Sequence, residues 1–169
     1  MERNGEFFGT CRCPDRTDWN LFLGEYRHSL DDKGRIILPR KFRERLEPGC
    51  VVTKSEDRCL ALYDDAGWHA YAEQIRTLPK MDRRVRLYSR AAFGQAHEDK
   101  PDKQGRITLP EHLRDYAGLS REVVIAGMDD RIEIWDAREW ERVSREADGA
   151  FPEIAETLAQ QMQRQVSEN

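Results

Sequence analysis

One nine-residue phrase occurs twice in this chain. DDKGRIILP occupies Asp31 to Pro39 and DKQGRITLP occupies Asp102 to Pro110, so Asp31 and Asp102, Arg35 and Arg106, and Pro39 and Pro110 each stand 71 residues apart. Past the phrase one inserted residue moves the offset to 72. Val52 then meets Val124, Leu60 meets Ile132, Leu62 meets Ile134, Tyr63 meets Trp135 and Trp68 meets Trp140. Apolar and aromatic side chains held in register over that distance mark an internal duplication, which constrains the fold before any local reading does. A chain of 169 residues then holds two small units, each too small to bury a core alone. Fused, they can pair strands across a pseudo-two-fold axis and close a small barrel.

Each copy spells the same elements. A short strand follows Gly34-Arg35 (Ile36 to Leu38) and Gly105-Arg106 (Ile107 to Leu109). Pro39 and Pro110 end those strands and sit where a helix start tolerates proline. Short helices are expected over Arg40 to Leu46 and Glu111 to Ala117, broken by Glu47-Pro48-Gly49 and Gly118-Leu119-Ser120. Two further strands per copy fold back at acidic turns, Glu56-Asp57 and Asp129-Asp130. Ile132 and Ile134 alternating with Glu133 predict a half-buried antiparallel strand.

The fold class expected is α+β. The divisions are a disordered leader over 1–20, a first repeat over 21–64, linking helices over 65–93, a second repeat over 94–136 and a helical tail over 137–169. The linking helices, Asp65 to Leu78 and Met81 to Phe93, are separated by Pro79. The first of them carries Trp68, Tyr71, Ala72 and Ile75 at helical spacing. In the tail, Ala137 to Ala147 reads as one helix, and Ile154, Leu158 and Met162 as a second, weaker amphipathic stretch.

No apolar run approaches the roughly 20 residues a membrane span requires. The N-terminus lacks the apolar segment of a signal peptide, so a cytoplasmic protein is expected. The four cysteines (Cys11, Cys13, Cys50 and Cys59) do not form paired ligand motifs, and no metal or cofactor is expected. His28, His69, His97 and His112 follow no metal or nucleophile spacing, and neither a glycine-rich phosphate loop nor a nucleophile elbow occurs. Asp31 and Asp102 could pair as acid-protease carboxylates do, but the cations flanking both would keep them ionised. Catalysis is therefore not expected.

The phrase itself admits two readings. Gly34 and Gly105 mark turns that need backbone angles other residues avoid. Asp31 and Asp102 can accept turn N–H bonds or hold an arginine fork, so each Asp-x-x-x-Arg set can serve as a turn-closing ion pair. Alternatively, an oriented Arg35 or Arg106 presents its guanidinium to a guanine edge in the major groove, with Lys33 and Lys103 on phosphates. The net charge of −4 argues weakly against nucleic acid. Arg27, Lys33, Arg35, Arg40, Lys41, Arg43 and Arg45 nevertheless make the opening of the first copy basic.

Asp31-x-Lys33-Gly34-Arg35 followed by Ile36-x-Leu38-Pro39, written again from Asp102 to Pro110, resembles the MraZ family of bacterial transcriptional regulators. The lead-in Phe22-Leu23-Gly24-Glu25-Tyr26 is similar to that family's usual start, and the resemblance spans residues 21 to about 145. It implies two fused AbrB/SpoVT-type swapped-hairpin units and a ring-shaped homo-oligomer, with an octamer as the expected size. It also implies binding to double-stranded DNA at direct repeats upstream of the division and cell-wall gene cluster, including the protein's own gene, and hence association with the nucleoid. Carried over by position, the DNA-contacting arginine is Arg35, with Arg106 as its counterpart. Two departures stand out: Met1 to Asn20 precede the family start, and the tail beyond Phe151 matches nothing in the pattern.

The rival to a DNA reader is an AbrB-type protein-binding or antitoxin-like module, which two fused copies disfavour. Trp68, Tyr71, Trp135 and Trp140 are expected to be core or subunit-interface anchors. An acidic subunit offering few phosphate contacts binds DNA weakly at physiological salt, so a DNA reader built this way depends on multivalency.

Overall fold

The computed structural model describes residues 21–167, so the leader with Cys11 and Cys13 lies outside the described residues. The first copy of the phrase follows β1 (Phe22–Ser29) and contains β2 (Arg35–Ile37). Helix α1 (Arg40–Leu46) and the hairpin of β3 (Cys50–Lys54) and β4 (Leu60–Tyr63) follow. Helices α2 (Asp65–Arg76) and α3 (Arg83–Ala92) lead to the second copy. There β5 (His97–Asp99), β6 (Arg106–Thr108), α4 (Glu111–Tyr116) and the hairpin of β7 (Glu122–Asp129) and β8 (Ile132–Asp136) repeat the order. Helix α5 (Ala137–Ser167) closes the chain.

The architecture is α+β. Six antiparallel strands form one sheet in the order β1-β7-β8-β4-β3-β5, while β2 and β6 pair only with each other. The duplication is visible in the register. The 72-residue offset makes Leu60 equivalent to Ile132 and Leu62 to Ile134, yet Leu60 faces Ile134 and Leu62 faces Ile132, so a pseudo-two-fold axis passes between Ala61 and Glu133. In the small sheet Arg35 faces Thr108 and Ile37 faces Arg106, which places the same axis between Ile36 and Ile107.

The expected closed barrel is not formed among the described residues, because β1 and β5 are the two ends of the sheet and do not pair. The physical reason lies in β2 and β6, three residues each. Two positions past the end of each stands a proline, Pro39 or Pro110, which has no N–H to continue a ladder. The small sheet covers the core instead of bridging the edges. Ile36 and Ile107 point into the same buried cluster as Leu38, Phe42, Val52, Leu60, Leu109, Leu113, Ile132 and Ile134.

Two expectations change in detail. Strand β8 is buried along its whole length, Glu133 included. Its Ile132 and Ile134 face the main core as the alternation predicts. Its other face is covered by a second cluster of Cys59, Val124, Trp135 and Ala137, against which Trp140 and Val143 of α5 pack. The tail, expected as two helices, is a single helix with Pro152 inside it. Local apolar spacing cannot show that a helix continues across residues that bury nothing.

The aromatic residues expected as anchors fill intramolecular positions. Tyr63 stacks on Tyr71 at 5.0 Å, Trp68 meets Phe93 edge-on at 5.8 Å, and Trp135 lies 5.9 Å from Trp140. Cys50 and Cys59 are buried free thiols, and burial pushes both up to about 12, which leaves them inert.

Candidate nucleic-acid interface

The two Asp-x-x-x-Arg turns are near copies of each other. In the first, Gly34 N–H donates to Asp31 C=O at 2.9 Å and Asp31 N–H to Arg35 C=O at 2.9 Å, closing a tight reversal. The Asp31 carboxylate then accepts three hydrogen bonds. Oδ1 accepts the backbone N–H groups of Lys33 and Arg35, both at 2.9 Å, and Oδ2 accepts Arg35 Nε at 2.8 Å and makes an ion-pair contact with Nη2 at 2.7 Å. In the second turn Asp102 Oδ1 accepts from Gln104 N at 2.8 Å and Arg106 N at 3.0 Å, and Oδ2 accepts from Arg106 Nε at 2.8 Å and makes an ion-pair contact with Nη2 at 2.7 Å. The arginine side-chain bonds, followed by the arginine backbone N–H, hold both carboxyls at about 2, below their ordinary 3.8. The carboxylates remain ionised at any physiological pH.

The ion pair and the reader are therefore compatible uses of one arginine. A guanidinium has five N–H groups, and the aspartate takes the one on Nε while its charge lies against Nη2. Donors on Nη1 and Nη2 are left, and an end-on pair of such donors matches a guanine edge. Arg35, Ile37, Arg106 and Thr108 all point to the face opposite buried Ile36 and Ile107, so both arginines share one outward face of the β2–β6 ribbon.

Each turn is completed by the other repeat. Leu109 N–H donates to Gly34 C=O and Leu38 N–H to Gly105 C=O, each at 2.8 Å. Arg114 Nε donates to Leu109 C=O and Arg43 Nε to Leu38 C=O, each at 2.9 Å. Those guanidinium groups lie under the opposite glycines: Arg114 beneath Gly34 and Arg43 beneath Gly105. Both glycines adopt left-handed angles, φ 71° and 74°. Sequence reasoning placed Arg43 only in a basic stretch and overlooked Arg114. Their shared 71-residue offset was the available signal.

The expected lysines are exposed but not equivalent. Lys33 directly precedes Gly34, whereas Lys103 stands two residues before Gly105, where the first copy has Asp32; Gln104 takes the place of Lys33. The surface beside the second turn also mixes Lys100 and Lys103 with Glu44 and Glu47. The outward face is thus charged in both signs. Among the described residues no His, Cys, Asp and Glu side chains gather in groups able to hold a metal ion, and no helix is long and apolar enough to cross a membrane.

Comparison with known proteins gives the family of the chain. The family model described as "MraZ protein, putative antitoxin-like" matches the chain twice, over residues 21–91 and 92–162. The chain belongs to the MraZ family. A protein of Salinispora arenicola named transcriptional regulator MraZ is 46% identical over 136 residues, covering 80% of this chain and 96% of that protein. Proteins of the same name from Frankia alni (46% over 138 residues) and Natranaerobius thermophilus (44% over 138 residues) cover 82% of this chain and 96% of their own lengths. The second MraZ match runs to 162, so the tail past Phe151, set outside the pattern on sequence, lies within it as far as Met162.

Proposed function

We propose that this chain is a transcriptional regulator that binds double-stranded DNA through its paired Asp-x-x-x-Arg turns. Arg35 and Arg106 read base edges, Lys33 and Lys103 meet phosphates, and Asp31, Gly34, Asp102 and Gly105 hold the two arginines in place. The targets are direct repeats in the promoter of the division and cell-wall gene cluster, including the protein's own gene. The units are swapped-hairpin AbrB-like modules, the subunits form a ring, with an octamer as the expected size, and the protein works at the nucleoid. One observation supports the reading: two arginine side chains, each held by a carboxylate and still 28% and 26% exposed, share one outward face of a two-stranded ribbon. Two-stranded ribbons fit the major groove. The relatives' shared name, that of a regulator rather than an enzyme, agrees with it.

A mobility-shift titration on the DNA upstream of the protein's own gene tests this. Wild-type protein should shift that fragment in preference to a scrambled one, and the Arg35→Ala, Arg106→Ala double variant should not. The family description also carries the word antitoxin-like, which favours a protein-binding module as the second reading. Folded wild-type protein that fails to discriminate the promoter fragment would favour that module.

A further inference from the structure

We propose that the outer half of α5 in one chain docks into the groove between α2 and α3 of a second copy, so that copies join tail to groove. This rests on the self-association proposed above and supplies its contact. The tail side is an unpartnered amphipathic helix. Phe151, Ile154, Leu158 and Met162 recur at spacings of three and four, which puts them on one face, and all four are exposed, Phe151 by 72%. Glu146, Asp148, Glu153 and Glu156 lie on the same segment, and no Lys or Arg occurs between Arg145 and Arg164.

The groove side has the complementary character. Ile75, Val85, Ser89 and Phe93 line a trough of about 410 Å³, rimmed by Arg76, Lys80, Arg86 and Arg90. From Arg76 to Arg90 the chain carries six cations (Arg76, Lys80, Arg83, Arg84, Arg86, Arg90) and one acid, Asp82, in a protein whose net charge is −4. Leu78, Met81 and Leu87 add exposed apolar surface on the same hairpin, Met81 by 90%. An amphipathic helix laid into an apolar trough is a recurrent mode of recognition, and charge of opposite sign around it sets partner and orientation.

The chain's own tail does not fill its own groove. The root of α5 is fixed by Trp140 and Val143 against the second core cluster, and the side chains beyond Ala150 are solvent-exposed as far as they are described. Tail-to-tail pairing would cover the apolar stripe, but it would bring together two segments that each carry four acids and no cation. Tail-to-groove contact covers both apolar surfaces and opposes unlike charges. Because the two patches differ, the contact is head-to-tail and propagates until rotation closes it.

Light scattering on the full chain at micromolar concentration, without DNA, tests the contact. A tail variant (Ile154→Asp with Leu158→Asp) and a groove variant (Lys80→Glu with Arg90→Glu) alter exposed positions, and circular dichroism should confirm unchanged folding. Each variant alone should fall to monomer mass. Mixed, they should give a one-to-one complex, because the tail variant retains its groove and the groove variant its tail. Both variants keeping the wild-type mass would overturn the docking, as would a groove variant that stays assembled while the tail variant does not, the signature of tail-to-tail pairing. A monomeric wild type would instead sink the self-association itself.

Discussion

Arg114 lies directly beneath Gly34: a β-carbon added to that glycine would come 2.9 Å from Arg114 Nε and 3.1 Å from the Leu109 carbonyl. Gly34 meets two demands, a φ of 71° and the close approach of the other repeat's arginine. Gly118, at φ 59° with nothing within 4 Å, meets only the first. Gly118→Ala should thus cost the left-handed strain alone, about 1–2 kcal/mol. Gly34→Ala should cost more, and part of the excess should vanish in an Arg114→Ala background. Denaturant titration of the four-member cycle checks this. A coupling energy below about 0.5 kcal/mol would mean that the arginine is not braced against the turn.

Arg35 separates turn closure from base reading. Arg35→Ala should weaken binding by roughly 1–3 kcal/mol for each engaged subunit and relax sequence preference. Arg35→Lys keeps the charge but loses the fork, so it should resemble the alanine variant in specificity. Lys33→Ala should weaken binding to all sequences alike and lower the salt slope by about one. Titrations at several salt concentrations, on promoter and scrambled fragments, distinguish these outcomes. An Arg35→Ala protein that only loses thermal stability and binds its promoter normally would leave Arg35 as a turn-closing residue.

Acid should loosen both turns together. Asp31 and Asp102 have folded values of about 2 against an ordinary 3.8. Groups lowered in this way add stability that is complete above about pH 4 and lost as pH falls from there through about 2. The stability curve should slope across that window, and Asp31→Asn with Asp102→Asn should flatten it. A slope unchanged in the double variant would place the acid response elsewhere.

Much of this was legible because a duplication constrains itself twice. The phrase at Asp31 to Pro39 predicted turn, strand and helix in both copies, and α1 spans Arg40–Leu46 as expected. The strands span Arg35–Ile37 and Arg106–Thr108, one residue earlier than expected. Long-range choices were not legible. Nothing local to Arg114 points to Gly34, and nothing in Ile132 to Ile134 indicates that α5 and its tryptophan cover the other face. Open sheet and closed barrel differ in whether β1 meets β5, and the prolines that cut β2 and β6 short bear on that choice only once the strand order is known.

The repeats differ where identity would be self-defeating. On the pseudo-two-fold axis Ala61 sits directly opposite Glu133, the position that the 72-residue offset makes its equivalent. Side chains so opposed have β-carbons about 4.5–5.5 Å apart, and like charges there repel. Two glutamates would be forced together in the interior, whereas alanine on one side gives a single carboxylate room. Glu133, 7% exposed, uses it: Oε1 accepts from Arg131 Nη2 at 3.2 Å and Oε2 from Trp135 Nε1 at 3.0 Å. Glu133→Ala should strand the buried indole N–H and cost roughly 1–3 kcal/mol, while Glu133→Gln keeps an acceptor for it and should cost less. Ala61→Glu should be the most damaging of the three, because it adds a buried carboxylate facing another. In the Glu133→Ala background the same Ala61→Glu change should be far better tolerated. Thermal melts of these variants decide the matter. If Ala61→Glu destabilises equally with and without Glu133, the asymmetry reflects volume alone and not charge meeting charge on the axis.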